Sequence, residues 1–398
     1  MSSNRKKYHH KWWQRAIFSI GRPILRYHYK RKYGFYIKEP LKLDEPTLIM
    51  QNHVTDSDMF LMIAAVDEPM YFVGSEHLVR SGGLMKFFIN AFDGIPLCKG
   101  SVAIGPTKEI VKRIKDGNHV CIFPEGSRTF DGRTNPFNPA TGKLIKMSGA
   151  GLVTFRFKGG YFVQPRWTKV WRKGPLTGEF VGHYSADEIK RMSVEEINEI
   201  LRRDIYEDAY ETQLKDPKEY QAEGLAEGIE NILYLCPSCH KLETIKGHGD
   251  DFTCSACGMK THYDSYGMLS SDNEAMSFKT LAQWVDWEDS EFDRMYEQGE
   301  MSFENSDVTL SSIDMNTHVE KVLTSGSISA DKEGMKIGEY EFPFNTMEGF
   351  EYINLGNSLL FTNKNVYYTA VGDYVGGYKY RRLYLKYKEC MEKEKAGI

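Results

Sequence analysis

The first half of the chain alternates short apolar runs with amphipathic segments, which is the pattern of a sheet covered by helices. Apolar runs of strand length predict β-strands at 47–51, 70–74, 94–98, 119–123 and 161–167. A helix is predicted at 106–115, because Pro106 occupies its first position and Gly117 lies just beyond its end. We therefore predict an α/β domain over residues 41–232, with its loops presented at one edge of the sheet.

A more charged stretch follows the α/β pattern. Ser185 with Glu188, and Ser193 with Glu196, have the spacing of a capping box and predict two helix starts. Residues 197–210 are interpreted as a solvated helical connector, and no chemistry is assigned to them.

The last part of the chain changes to a β pattern with frequent turns. Before it, a helix at 277–297 within a connector at 266–302 carries aromatic residues at the spacing of a packed face. Strand-like runs follow at 326–330, 335–337, 340–344, 347–352, 359–362, 366–369 and 378–387. We predict a small antiparallel barrel or sandwich over 303–398, which a terminal helix could complete. Its rhythm resembles the pleckstrin-like lipid-binding modules, and the alternative is a β module that only packs or dimerises.

Composition describes an ordinary globular protein of 398 residues, of which 41% are hydrophobic and 27% charged. The chain has room for two or three domains. The apolar run at 59–66 is far shorter than the roughly 20 residues of a membrane-spanning helix. No stretch resembles a cleavable signal peptide. The odd number of cysteines and their CxxC spacing fit a metal site in a reducing cytosol better than a disulfide framework, so we expect a cytoplasmic protein.

Charge is distributed unevenly behind the formal net charge of −4. The first 38 residues contain no acidic residue and many basic ones: Arg5, Lys6, Lys7, Lys11, Arg15, Arg22, Arg26, Lys30, Arg31, Lys32 and Lys38. Aromatic residues are interleaved with them. Because Trp and Tyr favour lipid headgroups and basic side chains are drawn to anionic lipid, residues 1–40 are predicted to form helices that dock on an anionic membrane surface. Packing on the chain's own domain and, more weakly, nucleic-acid binding are the alternatives.

Seven cysteines divide into a spaced quartet and three single residues, Cys98, Cys121 and Cys390. The quartet consists of two CxxC motifs, Cys236, Cys239, Cys254 and Cys257. Four thiolates suit tetrahedral zinc, and Gly258 permits the second tight turn. A closed set leaves no position for water, so we predict a structural zinc ribbon at 233–265. The nearby histidines are interpreted as surface residues: His240, His248 and His262.

A polar stretch lies between an apolar strand and an apolar helix near residue 53. His53 can remove a proton at neutral pH, and a carboxylate on its other ring nitrogen would fix the tautomer. Asp58 reaches His53 only if the histidine lies in the loop before the helix, whereas Asp56 is the easier helical neighbour. The alternative without chemistry is a helix start capped by Thr55, Asp56 or Ser57.

A second polar turn follows the predicted strand at 119–123. Gly126 allows close approach of the backbone, and Arg128 offers a planar fork suited to a phosphate. On its own, the stretch is also typical of an ordinary turn with a surface arginine.

Together, these stretches resemble the glycerolipid acyltransferase family typified by bacterial 1-acyl-glycerol-3-phosphate acyltransferase. The family's NHxxxxD motif is matched by Asn52, His53 and Asp58. Its FPEGxR(S/T) motif is matched by residues 123–129. The resemblance covers roughly residues 1–230.

Two further segments are similar to the family with departures. Residues 94–99 end in Lys99 where the family usually has arginine, which keeps the charge but loses the bidentate geometry. Residues 162–165 match an apolar motif that contains a proline, although Gln164 interrupts the apolar run.

The resemblance implies a mixed sheet flanked by helices and an O-acyltransferase of phospholipid biosynthesis, peripheral on the inner face of the cell membrane. His53 would be the general base and Asp58 its partner, and the residues implied in acceptor binding are Asn52, Lys99, Glu125, Gly126, Ser127 and Arg128. The implied reaction moves a fatty acyl group from acyl-CoA or acyl carrier protein to lysophosphatidic acid, giving phosphatidic acid, without a redox cofactor. The alternatives are another acceptor (glycerol 3-phosphate, another lysophospholipid or an amino-lipid) and a non-catalytic scaffold that binds lipid or a partner.

Overall fold

The computed structural model describes residues 10–37, 41–75, 94–97, 104–314, 317 and 319–396. The chain forms two compact units. The first consists of Met1–Cys98, Ala103–Arg166 and Trp171–Ala222, and the second of Lys99–Val102, Trp167–Val170 and Glu223–Ile398. Among the described residues, the second unit therefore includes the short segment Trp167–Val170 from the part of the sequence that mainly builds the first.

A six-stranded mixed sheet organises the first unit. Its strands are β1 Thr47–Gln51, β2 Met70–Ser75, β3 Ile95–Leu97, β4 His119–Ile122, β5 Gly151–Lys158 and β6 Thr177–Tyr184. They lie in the order β3-β2-β4-β1-β5-β6, and all neighbours pair in parallel except β5 and β6. β1 is buried along its whole length, as expected for a parallel strand covered on both faces. The mixed sheet flanked by helices is confirmed.

The described helices of this unit are α1 Trp12–Tyr33, α2 Asp58–Ala65, α3 Ile104–Lys115, α4 Ala140–Ser148, α5 Gly160–Val163, α6 Ala186–Arg191, α7 Val194–Ile205 and α8 Ala209–Lys215. On one face of the sheet, Ile110 of α3 and Ile145 of α4 share a buried cluster with Leu48 and Val120 of the strands. Within the described residues, no helix has both the length and the apolar character that crossing a bilayer requires.

The interpretation of 197–210 as a solvated connector is wrong. Ile197, Leu201 and Ile205 of α7 are fully buried, because their four-residue spacing forms an apolar stripe along the helix. The helix therefore helps to close the core. The two predicted capping boxes, at Ser185 and Ser193, are both confirmed.

The predicted strand at 161–167 is also wrong. The chain there forms the single turn α5, and the strand lies earlier, as β5. Gly159 has φ +78°, and Pro165 has no N–H to donate to a ladder, so this stretch does not continue a strand. The described part of helix α3 runs from Ile104 to Lys115, so Pro106 does not occupy the first helical position.

The second unit contains a small antiparallel sheet beside a long helix. The strands are β7 Ile245–His248, β8 Asp251–Cys254, β9 Lys260–Tyr263 and β10 Leu269–Ser270, in the order β10-β9-β8-β7. Helix α9, Leu281–Gln298, follows them, and its Trp284 and Phe292 are fully buried. The packed helix predicted here is therefore confirmed.

A seven-stranded antiparallel sheet ends the second unit. Its strands are β11 Phe303–Ile313, β12 Glu320–Ala330, β13 Gly334–Ile337, β14 Tyr340–Pro343, β15 Met347–Ile353, β16 Ser358–Asn363 and β17 Val366–Val371, in the order β14-β13-β12-β11-β17-β16-β15. Residues 378–387 are not a strand, because they belong to helix α10, Gly377–Ala396, which contacts β15. The β-rich C-terminal domain is confirmed, and its pleckstrin-like lipid-binding role stays a prediction.

Candidate active site

The candidate site lies where three neighbouring parallel strands end. β4, β1 and β5 are adjacent in the sheet, so the loops that follow their C-terminal ends lie at one edge. These loops contact each other directly. The Thr129 N–H donates to the carbonyl of His53 at 2.9 Å, and the Asp56 N–H donates to Oε1 of Gln164 at 2.9 Å. Parallel pairing therefore brings motifs that are distant in the sequence into one loop cluster.

His53 and Asp58 form a hydrogen-bonded pair, with 2.9 Å between His53 Nδ1 and Asp58 Oδ2. Asp58 is the first residue of α2 and His53 lies in the loop before it, which is the arrangement that their spacing requires. Asp56, the other candidate partner, pairs with Arg128 instead. Because the carboxylate accepts, Nδ1 carries the proton and Nε2 carries the lone pair. The imidazole is therefore oriented to act as a base through Nε2.

Asp58 is buried and surrounded by hydrogen-bond donors. Its oxygens accept from the Val54 N–H at 2.6 Å and from the Thr55 N–H at 3.0 and 3.1 Å. The Thr55 hydroxyl donates a further bond at 2.6 Å. Each contact presents a donor, as an acceptor-only carboxylate requires. The stretch is not a simple capped helix start, because the N-cap residue Ser57 makes no side-chain capping bond.

The His53 ring is held on one side and accessible on the other. Its centroid lies 4.4 Å from that of Phe123, which follows β4. The His53 side chain nevertheless keeps 24% of its surface exposed, whereas the Asp58 side chain keeps none. A substrate hydroxyl can therefore approach the imidazole but not the carboxylate that orients it.

Glu125 braces the two motif loops against each other. Its Oε1 accepts the His53 N–H at 2.7 Å, and its Oε2 accepts the Asn135 N–H at 2.6 Å. Burial raises the pKa of Glu125 to about 8, although the two N–H bonds act in the opposite direction. In this structure Glu125 holds the backbone of His53 in place. Direct contact between Glu125 and the substrate stays a prediction.

Asn52 and Gly126, which are also implied in acceptor binding, shape the loops. Asn52 is buried, and its amide exchanges two hydrogen bonds, of 2.9 and 2.8 Å, with the backbone of Phe157 in β5. Gly126, with φ +71°, makes the turn after β4. Ser127 is buried. Lys99 lies outside the described residues. Substrate contacts by these four residues stay predictions.

Arg128 lies beside the loop that carries His53. Its Nε is 3.2 Å from Oδ1 of Asp56, and its Nη1 donates to the carbonyl of Gln164 at 3.3 Å. The Gln164 side chain in turn donates to Oδ2 of Asp56 at 2.7 Å. The Arg128 guanidinium is therefore held by the Asp56 carboxylate and by the backbone carbonyl of Gln164, which lie in two different loops.

Sequence reasoning missed three of these contributors. Gln164 was treated as an interruption of an apolar motif, and a polar residue inside such a motif was the available signal. Arg166 donates to the carbonyl of Arg128 at 3.0 Å, but a single basic residue gives no signal in a sequence. Thr55, considered only as a helix cap, donates its hydroxyl to Asp58.

Helix α1 has one apolar side facing its own unit and further apolar residues facing outward. The buried aromatic residues are Phe18, Tyr29 and Tyr33, and the exposed large residues are Trp12, Ile17, Ile20, Ile24 and Tyr27. Positions 17, 20, 24 and 27 lie on one face of an α-helix. An outward apolar face on a basic helix is the pattern of an interfacial segment.

Two basic residues of α1 are committed to internal contacts. Arg26 Nε donates to the carbonyl of Ala64 at 2.6 Å, and Arg22 donates to the carbonyl of Asp67. Both guanidinium groups also pair with the Asp67 carboxylate, at 3.3 Å for Arg22 and 3.1 Å for Arg26. These contacts fix α1 to the C-terminal end of α2, so Arg22 and Arg26 are already engaged within their own unit.

The four cysteines of the second unit meet in one cluster, in which their sulfur atoms all lie within 4.8 Å of one another. The Sγ atoms are 3.7 Å apart in the pair Cys236 and Cys257 and in the pair Cys239 and Cys254. Tetrahedral zinc with Zn–S bonds of about 2.3 Å places its sulfur ligands roughly 3.8 Å apart. A disulfide requires about 2.05 Å. The four residues therefore fit a tetrahedral four-thiolate metal site.

Both cysteine motifs use the same turn. The His240 N–H donates to the Cys236 carbonyl and the Gly258 N–H to the Cys254 carbonyl, each at 2.9 Å. The three nearby histidines point to carboxylates instead of sulfur: His240 to Glu291, His248 to Glu227 and His262 to Asp251. Their interpretation as surface residues is confirmed.

The fold and the site define an α/β domain that carries a histidine–aspartate pair beside an arginine. Residues 32–158 match the family model described as Acyltransferase, and the chain therefore carries an acyltransferase domain. The crystal structure of the 1-acyl-sn-glycerophosphate (LPA) acyltransferase PlsC from Thermotoga maritima is similar with a TM-score of 0.42 and 18% identity, over 50% of this chain and 82% of that chain. The comparison with curated proteins found no match. The acyltransferase domain expected from the two motifs is confirmed over residues 32–158.

Proposed function

We propose that this acyltransferase moves a fatty acyl group from a thioester donor to the free hydroxyl of lysophosphatidic acid, giving phosphatidic acid. The observation that carries the proposal is the His53–Asp58 pair in the same loop cluster as Arg128. A base next to a phosphate-binding fork suits an acceptor that has a hydroxyl close to a phosphate.

In the proposed reaction, Nε2 of His53 removes the proton of the acceptor hydroxyl. At the same time, the hydroxyl oxygen forms a bond to the carbonyl carbon of the thioester. The carbon–sulfur bond then breaks, and the leaving thiolate takes the proton from the imidazolium. Asp58 stabilises the imidazolium between these two steps. Because the acceptor attacks directly, the reaction requires no covalent acyl-enzyme.

The proposed acceptor reaches the site from an anionic membrane surface on the cytoplasmic side, to which the enzyme binds peripherally. The outward apolar face of α1 supports this, because its Ile20 and Ile24 are 66% and 61% exposed, and Trp12 at the start of the helix is 82% exposed. Exposed basic residues lie on the same helix or just before it: Lys11, Arg15, Lys30, Arg31 and Lys32. Such a helix binds through buried apolar area and attraction to anionic lipid.

We also propose that Cys236, Cys239, Cys254 and Cys257 hold a structural zinc ion. Their sulfur separations of 3.7 Å support this assignment. Four thiolates complete a tetrahedral shell, so the ion would supply folding energy and no chemistry.

The experiment that tests the reaction is product analysis by mass spectrometry with labelled lysophosphatidic acid, offering acyl-CoA and acyl carrier protein thioesters in parallel. We expect His53→Ala to abolish phosphatidic acid formation while the melting temperature and zinc content stay unchanged. His183→Ala, at an exposed position on β6, is the matched control. A normally active His53→Ala enzyme would refute the role of the base, and a panel of other acceptors would show whether the reaction stands with a different headgroup.

A further inference from the structure

Gln164 is a buried polar residue of the loop cluster, only 6% exposed. A buried amide requires hydrogen-bond partners, because leaving it unpaired costs free energy. Both polar atoms of its side chain find them in the loop that carries His53. Its Oε1 accepts the Asp56 N–H at 2.9 Å, and its Nε2 donates to Asp56 Oδ2 at 2.7 Å. The Gln164 carboxamide therefore holds the backbone and the side chain of one residue.

The Asp56 side chain depends on this amide for a fixed orientation. It keeps 65% of its surface exposed, and an exposed side chain in solvent samples several rotamers. Gln164 takes up Oδ2, while Oδ1 faces Arg128 Nε at 3.2 Å. Each oxygen of the carboxylate therefore has a donor within the protein, and the ion pair with Arg128 has a defined geometry.

The Arg128 guanidinium is held at two of its nitrogen atoms. Asp56 lies at Nε, and the backbone carbonyl of Gln164 accepts from Nη1 at 3.3 Å. A guanidinium recognises a phosphate through two parallel hydrogen bonds only when its plane is correctly oriented. Gln164 contributes to that orientation twice, directly through its main chain and indirectly through the carboxylate that its side chain holds.

The His53–Asp58 pair has supports of its own. Glu125 accepts the His53 N–H at 2.7 Å, and Asp58 accepts N–H groups of the loop that precedes it. Loss of the Gln164 amide would therefore disturb the orientation of Arg128 while the base keeps its partner. Acceptor binding and the chemical step depend on different contacts of the same loop cluster.

We propose, on the basis of the acyltransferase function above, that Gln164 is a positioning residue for the phosphate of the acceptor. It holds Asp56 so that the Arg128 guanidinium keeps the orientation in which it binds this phosphate. Gln164 acts through Asp56 and Arg128 and does not itself touch the acceptor.

The test measures kcat and KM for lysophosphatidic acid in neutral detergent micelles. Gln164→Leu keeps a side chain of similar size and removes the amide. We expect its KM to rise about tenfold, the effect of roughly one lost hydrogen bond to a charged group. The kcat should change less than about twofold, because His53 and Asp58 keep their contacts. In an Asp56→Ala background the same substitution should change KM less than about threefold, because the carboxylate that the amide holds is absent.

Gln213→Leu is the matched control. Gln213 of α8 is 3% exposed, and its amide likewise accepts from and donates to the backbone of one residue, Lys218. This variant should lower the melting temperature about as much as Gln164→Leu and leave KM unchanged. The proposal is overturned by an unchanged KM in Gln164→Leu, by a loss confined to kcat, or by the full effect on KM in the Asp56→Ala background.

Product formation by the unaltered enzyme tests the proposed function separately. If lysophosphatidic acid is not acylated, that function fails, and calorimetric titration with glycerol 3-phosphate tests Gln164 by itself. A dissociation constant about tenfold higher in Gln164→Leu than in the unaltered protein supports the positioning role. Equal dissociation constants, or no binding by the unaltered protein, reject it.

Discussion

The two units each contain a cluster of polar side chains built from two short motifs, and the clusters differ in what they leave open. In the cysteine cluster, the four sulfur atoms all face one another within 4.8 Å. In the acyltransferase unit, Asp58 is enclosed while the His53 side chain keeps 24% of its surface exposed. A closed set of donors suits a structural ion, whereas a base must keep one nitrogen open to substrate.

A glutamate that accepts backbone N–H groups lies next to each of the two clusters. Glu288 of α9 is buried, and its Oε1 accepts the N–H groups of Tyr234 and Leu235 at 2.8 and 2.7 Å, directly before Cys236. Glu125 accepts the N–H of His53 in the same way. Burial raises the pKa of both carboxyls. A glutamate that accepts backbone N–H groups therefore holds a loop in both units. The two clusters differ because the His53 side chain stays partly exposed, whereas the four sulfur atoms face one another.

The largest effect is expected for Asp58, the buried residue of the histidine–aspartate pair. Asp58→Asn presents an amide N–H₂ to a shell of donors and removes the charge that stabilises the imidazolium. By analogy with other His–Asp pairs, kcat should fall by about 10³ to 10⁴. Steady-state acyl transfer measures this, with Asp44→Asn, at an exposed position of the same unit, as a control that retains kcat. A loss below about tenfold would mean that the carboxylate contributes little to catalysis.

The next largest effect is expected for metal binding by the four-cysteine cluster. Cys254→Ser removes one of four thiolates, and a shell without an open position has no ligand in reserve. We expect the purified protein to drop from about one zinc ion per chain to a small fraction of that, measured by elemental analysis after dialysis against a chelator. Cys390→Ser, outside the cluster, should keep its zinc. Equal metal content in the two variants would show that the cluster does not bind zinc as a four-thiolate site.

Much of the α/β framework could be predicted because its strands are short apolar runs buried on both faces. β1 agrees with the predicted 47–51 at both ends. β5 was missed because its apolar residues alternate with Thr154 and Arg156 and are less conspicuous than the aromatic stretch that follows. The strand predicted at 378–387, within α10, is wrong for a related reason. Its tyrosines favour strands by composition, while Tyr380, Leu383 and Tyr384 are buried at helical spacing.

From the residues alone, the candidate site could be predicted only where a motif is local, and the resemblance alone implied that the two motifs share one site. His53 and Asp58 lie five positions apart, so their contact followed from the position of the helix start. The link from Asp56 to Gln164 spans 108 positions, and that from His53 to Glu125 spans 72. No periodicity connects residues at such distances. The pairing of β1 with β4 and with β5 creates these contacts, and it becomes visible only in three dimensions.

The smallest effect is expected for Glu125, which holds the backbone of His53, and it appears in the pH dependence of the protein's stability. The pKa of Glu125 is raised from 4.5 to about 8 in the folded protein. Between these values the folded state keeps a proton that the unfolded chain has lost, so the stability supplied by Glu125 falls as the pH rises towards 8.

Glu125→Gln removes this titration and should flatten the slope of the unfolding free energy against pH by up to about 1.4 kcal/mol per pH unit. Urea unfolding from pH 5 to 9 measures the slope, and the exposed Glu195→Gln on α7 should leave it unchanged. An unchanged slope in Glu125→Gln would mean that the carboxylate is ionised in the folded state, and the N–H groups of His53 and Asn135 would then outweigh the cost of its burial.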